Sequence, residues 1–163
     1  MFKLGIITAS DKGATGQRED ESGALIKKMF EGYDYELIQY KILPDDRSLI
    51  SQALIDYTDK DEIDIIITTG GTGFSPRDWT PEATEDVIHR RVPGIAEAMR
   101  AHSLTITPKA MFGRGIAGIR HRTLIVNLPG SPKAVREHLT YLLPHLKHAL
   151  DVLIGQGSEC GQK

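Results

Sequence analysis

Residues 63–69 read Ile63-Asp64-Ile65-Ile66-Ile67-Thr68-Thr69 and run straight into Gly70-Gly71-Thr72-Gly73. No other feature constrains the fold as tightly. A strand with one face in water alternates apolar and polar residues, whereas this β-branched run is continuous. Continuity implies burial on both faces, as in a parallel sheet covered by helices on either side. The glycines then mark where the strand ends and a loop begins.

The remaining chain has strands and helices to match. Residues 2–9 and 35–43 read as strands, the second stopped by Pro44-Asp45-Asp46, and residues 123–128 as another closed by Pro129-Gly130. Helical spacing predicts helices over about 21–31, with Leu25, Ile26 and Met29 inward, and over 46–60, with Leu49, Ile50, Ala53, Leu54 and Tyr57 inward. Thr80-Pro81 signals a helix start with Thr80 as cap, Pro93-Gly94 breaks that helix, and residues 94–102 form another. Ser131-Pro132 opens a helix carrying Val135, Leu139, Leu142 and Leu143, and Pro144 starts or kinks a last one with Leu146, Leu150 and Leu153. Residues 12–20 read as a long loop, and residues 103–122, with glycines at 113, 115 and 118, as turns. The expected fold is α/β: three layers, a doubly wound and mostly parallel sheet with helices on both faces. Residues 1–154 form one domain, and 155–163 a flexible tail.

Composition narrows the function classes. A net charge of -2 argues against a broad basic field for nucleic acid. Cys160 is the only cysteine, so neither an intrachain disulfide nor a cysteine-based zinc site is available. No apolar run reaches about 18 residues, and Met1 to Ile7 resembles a first strand more than a signal peptide. A cytoplasmic protein without membrane or nucleic-acid partners is expected.

Doubly wound sheets bind ligands beyond the carboxyl ends of their strands. That rule gathers Ser10-Asp11, Asp45-Asp46, Gly70 to Gly73 and Pro129-Gly130-Ser131 on one edge. The glycine loop lacks the Gly-Lys-Ser/Thr of a Walker loop, and Pro76 stands where a dinucleotide fingerprint needs its third glycine. Its N–H groups, with the hydroxyls of Thr69 and Thr72, suit a phosphate; a purely structural turn is the alternative. Arg77 can neutralise phosphate oxygens through paired bonds. Asp78 repels phosphate unless a cation sits between, and Mg²⁺ is the usual choice, with Asp45 or Asp46 as second carboxylate. Equally, Asp78 can cap the following helix or pair with Arg77. Ser131 is either a cap or, with Lys133, part of an anion site at a helix N-terminus. Arg114 and Arg120 read as surface charges or site residues. The six histidines show no metal-binding spacing.

Several motifs in order carry a family resemblance. Thr68-Thr69-Gly70-Gly71-Thr72-Gly73, Arg77-Asp78-Trp79-Thr80-Pro81-Glu82-Ala83, Val92-Pro93-Gly94, Gly113-Arg114-Gly115 and Asn127-Leu128-Pro129-Gly130-Ser131-Pro132-Lys133 resemble the Mog-type proteins of molybdenum cofactor biosynthesis and the gephyrin G domain. Leu43-Pro44-Asp45-Asp46 and Ser10-Asp11 fit the same pattern. The resemblance implies transfer of AMP from Mg-ATP to the terminal phosphate of molybdopterin. It implies Asp45 and Asp78 as catalytic residues, and because Asp78 beside phosphate calls for a cation, the same pair are the expected Mg²⁺ ligands. It implies substrate contacts at Ser10, Asp11, Thr69, Gly70, Gly71, Thr72, Gly73, Arg77, Arg114, Gly130, Ser131 and Lys133. It also implies a homotrimer and delivery of the product to a molybdenum-insertion protein. A non-catalytic molybdopterin carrier of the same fold is the alternative.

Overall fold

The computed structural model describes residues 1–60 and 62–155. Cys160 and the tail expected beyond Gly155 lie outside the described residues. Six strands form one sheet: β1 Phe2–Ala9, β2 Tyr35–Leu43, β3 Ile65–Thr69, β4 Arg90–Arg91, β5 Ala117–Arg120 and β6 Thr123–Leu128. Their order is β2-β1-β3-β6-β5-β4. The first four in that order pair in parallel. The β6-β5-β4 edge is antiparallel.

Six α-helices cover the sheet: α1 Asp11–Ala14, α2 Glu21–Phe30, α3 Arg47–Asp59, α4 Thr80–Glu85, α5 Pro93–Leu104 and α6 Pro132–Leu153. The strand period of two sorts the core into two layers. Ile65 and Ile67, with Leu4, Ile6, Leu124 and Val126, face α2, α5 and α6. Ile66 and Ile125, with Ile7, face α3 and α4 through Leu54, Tyr57 and Ala83. Helices therefore lie on both faces, as the continuous apolar strand requires.

Several sequence expectations change. Residues 11–14 form a short helix inside the supposed loop, because Ser10 caps it by accepting a bond from Gly13 N at 3.0 Å. Thr80 is the first helical residue of α4 and not its cap; Trp79 holds the cap position and makes no side-chain bond there. Leu49 is 49% exposed, outside the buried stripe of α3. The segment read as turns contains a 3₁₀ helix, Pro108–Phe112, and strand β5. Residues 132–153 form a single helix with Pro144 inside it. Leu139, Leu142, Leu143, Leu146 and Leu150 are buried along one stripe through the proline, and that packing holds the helix continuous.

The strand order reverses direction between β1 and β3. β1 has β2 on one side and β3 on the other, so the chain winds outward both ways from this pair. Their carboxyl ends, at Thr8 and Thr69, are in register. The two loops that follow open a crevice at that point, where this architecture binds ligands.

Candidate functional site

Loops from four strands meet at the crevice. After β1, Asp11 and Asp45 exchange bonds: Asp11 N donates to Asp45 Oδ2 at 2.9 Å and Asp45 N to Asp11 Oδ1 at 3.0 Å. This reciprocal clasp ties the loop after β1 to the loop after β2. Asp46 caps α3 instead, accepting from Leu49 N at 2.9 Å. Asp46 therefore serves the helix, while Asp45 lies against the glycine loop at Gly71. Arg77 lays its fork on Asp11, at 3.0 Å and 2.9 Å, so three loops share one charged chain. The Arg77 bonds, and then the Asp45 N–H, hold the Asp11 carboxyl below its ordinary range. Arg77 is thus committed to a carboxylate, a partner that sequence reasoning did not find.

The glycine loop is shaped by what leans on it. Gly70 and Gly71 take φ +87° and +66°, values that favour glycine. A Cβ on Gly70 would overlap the carbonyl of Ala9, and one on Gly71 would overlap Thr80 Oγ1. The two candidate catalytic carboxylates lean on the same loop. Asp45 Oδ1 lies 3.4 Å from the Cβ position of Gly71, and Asp78 Oδ2 lies 2.9 Å from that of Gly73. Asp78 neither caps α4 nor pairs with Arg77. It accepts from Ser75 N at 3.0 Å, which fixes it at the end of the loop. Burial pushes the Asp45 carboxyl above its ordinary range; the Asp11 N–H opposes this, and the charges of Asp11 and Asp78 add to it.

Behind the loop stands Arg114. Its guanidinium donates to the Gly73 carbonyl at 2.7 Å, to the Asp78 carbonyl at 2.9 Å and to Glu82. Its backbone N–H donates to the Thr72 carbonyl at 3.0 Å. Arg114 therefore braces the loop. Arg120 is also no loose surface charge, being 16% exposed and bonded to Asp59 at 2.8 Å. Beneath the loop, Asn127 Nδ2 donates to Thr68 and Thr84, both at 2.9 Å, inside the core. Thr69 Oγ1 donates to the Pro129 carbonyl at 2.7 Å, joining the β3 and β6 loops. Ser131 caps α6 through Ala134 N at 3.2 Å. Lys133 is 82% exposed, with Glu137 at 3.9 Å.

Three cavities among the described residues border this structure, one of them, of about 450 Å³, lined by Gly73, Asp78, Glu82 and Arg114. A polar one of about 580 Å³ is bounded by Ser10, Asp20, Ser22, Gly70, Gly130 and Ser131. The N-termini of α2 and α6 both border it, since Asp20 and Ser131 are their caps. Asp20 also binds Gly23 N at 2.9 Å and the hydroxyl of Tyr40. Another cavity of about 380 Å³ is mostly apolar and lies among α5, the 3₁₀ helix and α6; it reaches the loop at Thr72 and the polar cavity at Ser131. Ser103 and His138 line it. Sequence reasoning missed Asp20, Ser103 and His138. One signal was present for His138: a polar residue on the Val135, Leu139, Leu142 stripe.

Other proteins share this arrangement. A family model described as a probable molybdopterin binding domain matches residues 5–148. A molybdopterin adenylyltransferase of Helicobacter pylori is 40% identical over 162 residues, covering 98% of this chain and 92% of that protein. A gephyrin of Dictyostelium discoideum is 44% identical over 160 residues, covering 92% of this chain but 22% of its own length. The crystal structure of the molybdopterin biosynthesis enzyme MoaB from Thermus thermophilus superposes with a TM-score of 0.91 at 46% identity, over 98% of this chain and 100% of that one.

Proposed function

The chain belongs to the family of the probable molybdopterin binding domain, and from that premise we propose that it is a molybdopterin adenylyltransferase of molybdenum cofactor biosynthesis. The name and near-full-length coverage of the Helicobacter protein support this reading. One structural observation carries it: two carboxylates from separate loops, Asp45 and Asp78, lean on one glycine loop, whose Gly70 borders the polar cavity and whose Thr72 borders the apolar one. The polar cavity suits ATP, because two helix N-termini border it. The apolar cavity suits the pterin. Ser131 borders both, so phosphates entering from either side converge near it and the loop.

The reaction joins a terminal phosphate oxygen of molybdopterin to the α-phosphorus of ATP and expels pyrophosphate. Both reactants are anionic, so catalysis consists of positioning and charge neutralisation. No protein nucleophile is required. Gly71 to Gly73 present backbone N–H groups to the phosphates, the Gly70 N–H being donated to the Leu128 carbonyl, and Arg114 keeps that loop in shape. Ser10 and Gly130 close the polar cavity. Arg77 holds Asp11 and, through it, Asp45, and Lys133, exposed on the first turn of α6, adds positive charge.

The carboxylates fit a divalent cation. Asp45 is pushed up by burial and by its acidic neighbours, a cost that a cation would relieve. Among the described residues, no cluster of three or more metal-ligating side chains occurs. Two carboxylates completed by phosphate oxygens is the usual Mg²⁺ arrangement. Mg²⁺ held by Asp45 and Asp78 would neutralise charge on the ATP phosphates.

No helix of the described residues is long and apolar enough to cross a membrane, and we place the protein in the cytoplasm. Phe74 and Phe112, 72% and 51% exposed, meet edge to face beside the loop. Such exposed apolar surface supports self-association, for which we propose a homotrimer. The product would pass to a protein that inserts molybdenum. Asp78→Asn tests the assignment. It should abolish AMP transfer and leave molybdopterin bound, and wild-type turnover by that variant would remove Asp78 from the metal site.

A further inference from the structure

One buried ionisable side chain takes no part in the loops at the crevice. His138 projects from α6 and is 8% exposed. It lines the apolar cavity with Ser103 and Met99 of α5. Its Nε2 lies 2.7 Å from Ser103 Oγ. Its Nδ1 is buried and has no hydrogen-bond partner among the described residues. Burial lowers the ring's affinity for a proton, so the imidazole is neutral near pH 7. A neutral imidazole has one donor and one acceptor nitrogen. Whichever role Nε2 plays toward the serine, Nδ1 keeps the other and leaves it unmet.

A leucine at this position of the α6 stripe would pack without that cost. An unmet buried polar atom is destabilising in the free protein and is satisfied when a ligand supplies the complement. Resting on the reading that the pterin occupies this cavity, we propose that His138 is a specificity-determining residue whose Nδ1 hydrogen-bonds the polar edge of the pterin ring. The pyrimidine half of a pterin carries an amino group, a carbonyl and ring nitrogens side by side. That edge offers donors and acceptors and so answers either tautomer of the histidine. The apolar side chains of Met99, Ala96 and Ala134 in the same cavity would cover the ring faces.

Two substitutions separate this role from a structural one. His138→Asn puts an amide group close to the Nδ1 position and gives up the Ser103 contact. His138→Gln reaches toward Ser103 and gives up the Nδ1 group. Binding would be followed with 6-hydroxymethylpterin by its fluorescence, and with molybdopterin through its KM in AMP transfer. AMP binding and thermal melting would be the controls. The proposal expects His138→Asn within about threefold of wild type for both pterins, and His138→Gln weaker by about tenfold or more, the loss of one buried hydrogen bond. AMP affinity should not move. Pterin binding that is equal in the two variants, or stronger in His138→Gln, overturns the proposal. If wild-type protein transfers AMP to molybdopterin and His138→Gln keeps the wild-type KM, the histidine assignment fails and the function stands. If wild-type protein neither binds a pterin nor transfers AMP, the function fails and the histidine assignment falls with it.

Discussion

Gly71→Ala perturbs the glycine loop by a single methyl group, and its effect can be worked out from two features. The first is backbone conformation. Gly71 sits at φ +66°, where an alanine costs about 1–2 kcal/mol. The second is space. The new Cβ would overlap Thr80 Oγ1 and approach Thr80 Cβ to 3.3 Å. Thr80 is fully buried at the start of α4, so relief requires the helix or the loop to move, at about 1–3 kcal/mol for overpacking. The sum is about 3 kcal/mol, which lowers Tm by about 6–12 °C in a chain of this size. Thr80→Ala removes the obstructing hydroxyl, which has no hydrogen-bond partner among the described residues, together with a buried methyl group, and on its own should cost about 1 kcal/mol. In that background Gly71→Ala should cost only the backbone part, about 1–2 kcal/mol. Urea unfolding of the four proteins measures the difference as a coupling energy. Gly94→Ala is the control. No heavy atom lies within 4 Å of its Cβ position and its φ is not positive, so it should stabilise slightly, by about 0.5 kcal/mol. An equal cost of Gly71→Ala with and without Thr80, or a cost below about 0.5 kcal/mol, would refute the described loop.

Other consequences follow from particular contacts. Arg114→Gln strips the Gly73 and Asp78 carbonyls and Glu82 of a charged donor; kcat should fall about tenfold or more while molybdopterin stays bound, and an unchanged kcat would mean that the brace is irrelevant to chemistry. In the same variant the Glu82 carboxyl should titrate higher: burial pushes it up, and Arg114 is the side chain whose hydrogen bond and charge most hold it down. The Asp59 carboxyl is held at about 2 by Arg120 and Thr58. A depressed pKa contributes stability above the unfolded value and loses it as pH falls through the folded value. Asp59→Asn should therefore cost about 1 kcal/mol at pH 6, after allowance for solvent screening of a partly exposed pair. The difference from wild type should shrink between pH 4 and pH 2; a difference that stays constant over that range would contradict the ion pair.

Much of this molecule is legible in its sequence, for local reasons. Strands β1, β2 and β6 fall where apolar runs meet turn residues, and period-two burial divides Ile65, Ile66 and Ile67 between two layers. The site edge is legible because doubly wound sheets place their loops together. What escaped depends on tertiary contacts. Arg91 and Gly118 pair in short strands that have no periodicity of their own. Pro144 reads as the start or kink of a last helix, yet a buried leucine stripe carries α6 through it. Thr80 reads as a cap, yet its N–H bonds to the Gly71 carbonyl at 3.0 Å and draws it into the helix. Arg77 reads as a phosphate ligand and Arg114 as a surface charge or a substrate contact. One holds Asp11 and the other braces the loop, and nothing in their spacing distinguishes the two.

AMP transfer between two anions, at the loops of Gly70, Asp45 and Asp78, is the activity proposed for this protein. Purified protein with ATP labelled at the α-phosphate, Mg²⁺ and molybdopterin tests it most directly. Label should appear in adenylylated molybdopterin with an equal amount of pyrophosphate, and both should be lost on chelation of the metal. Protein that binds both substrates yet leaves all label in ATP would contradict that activity.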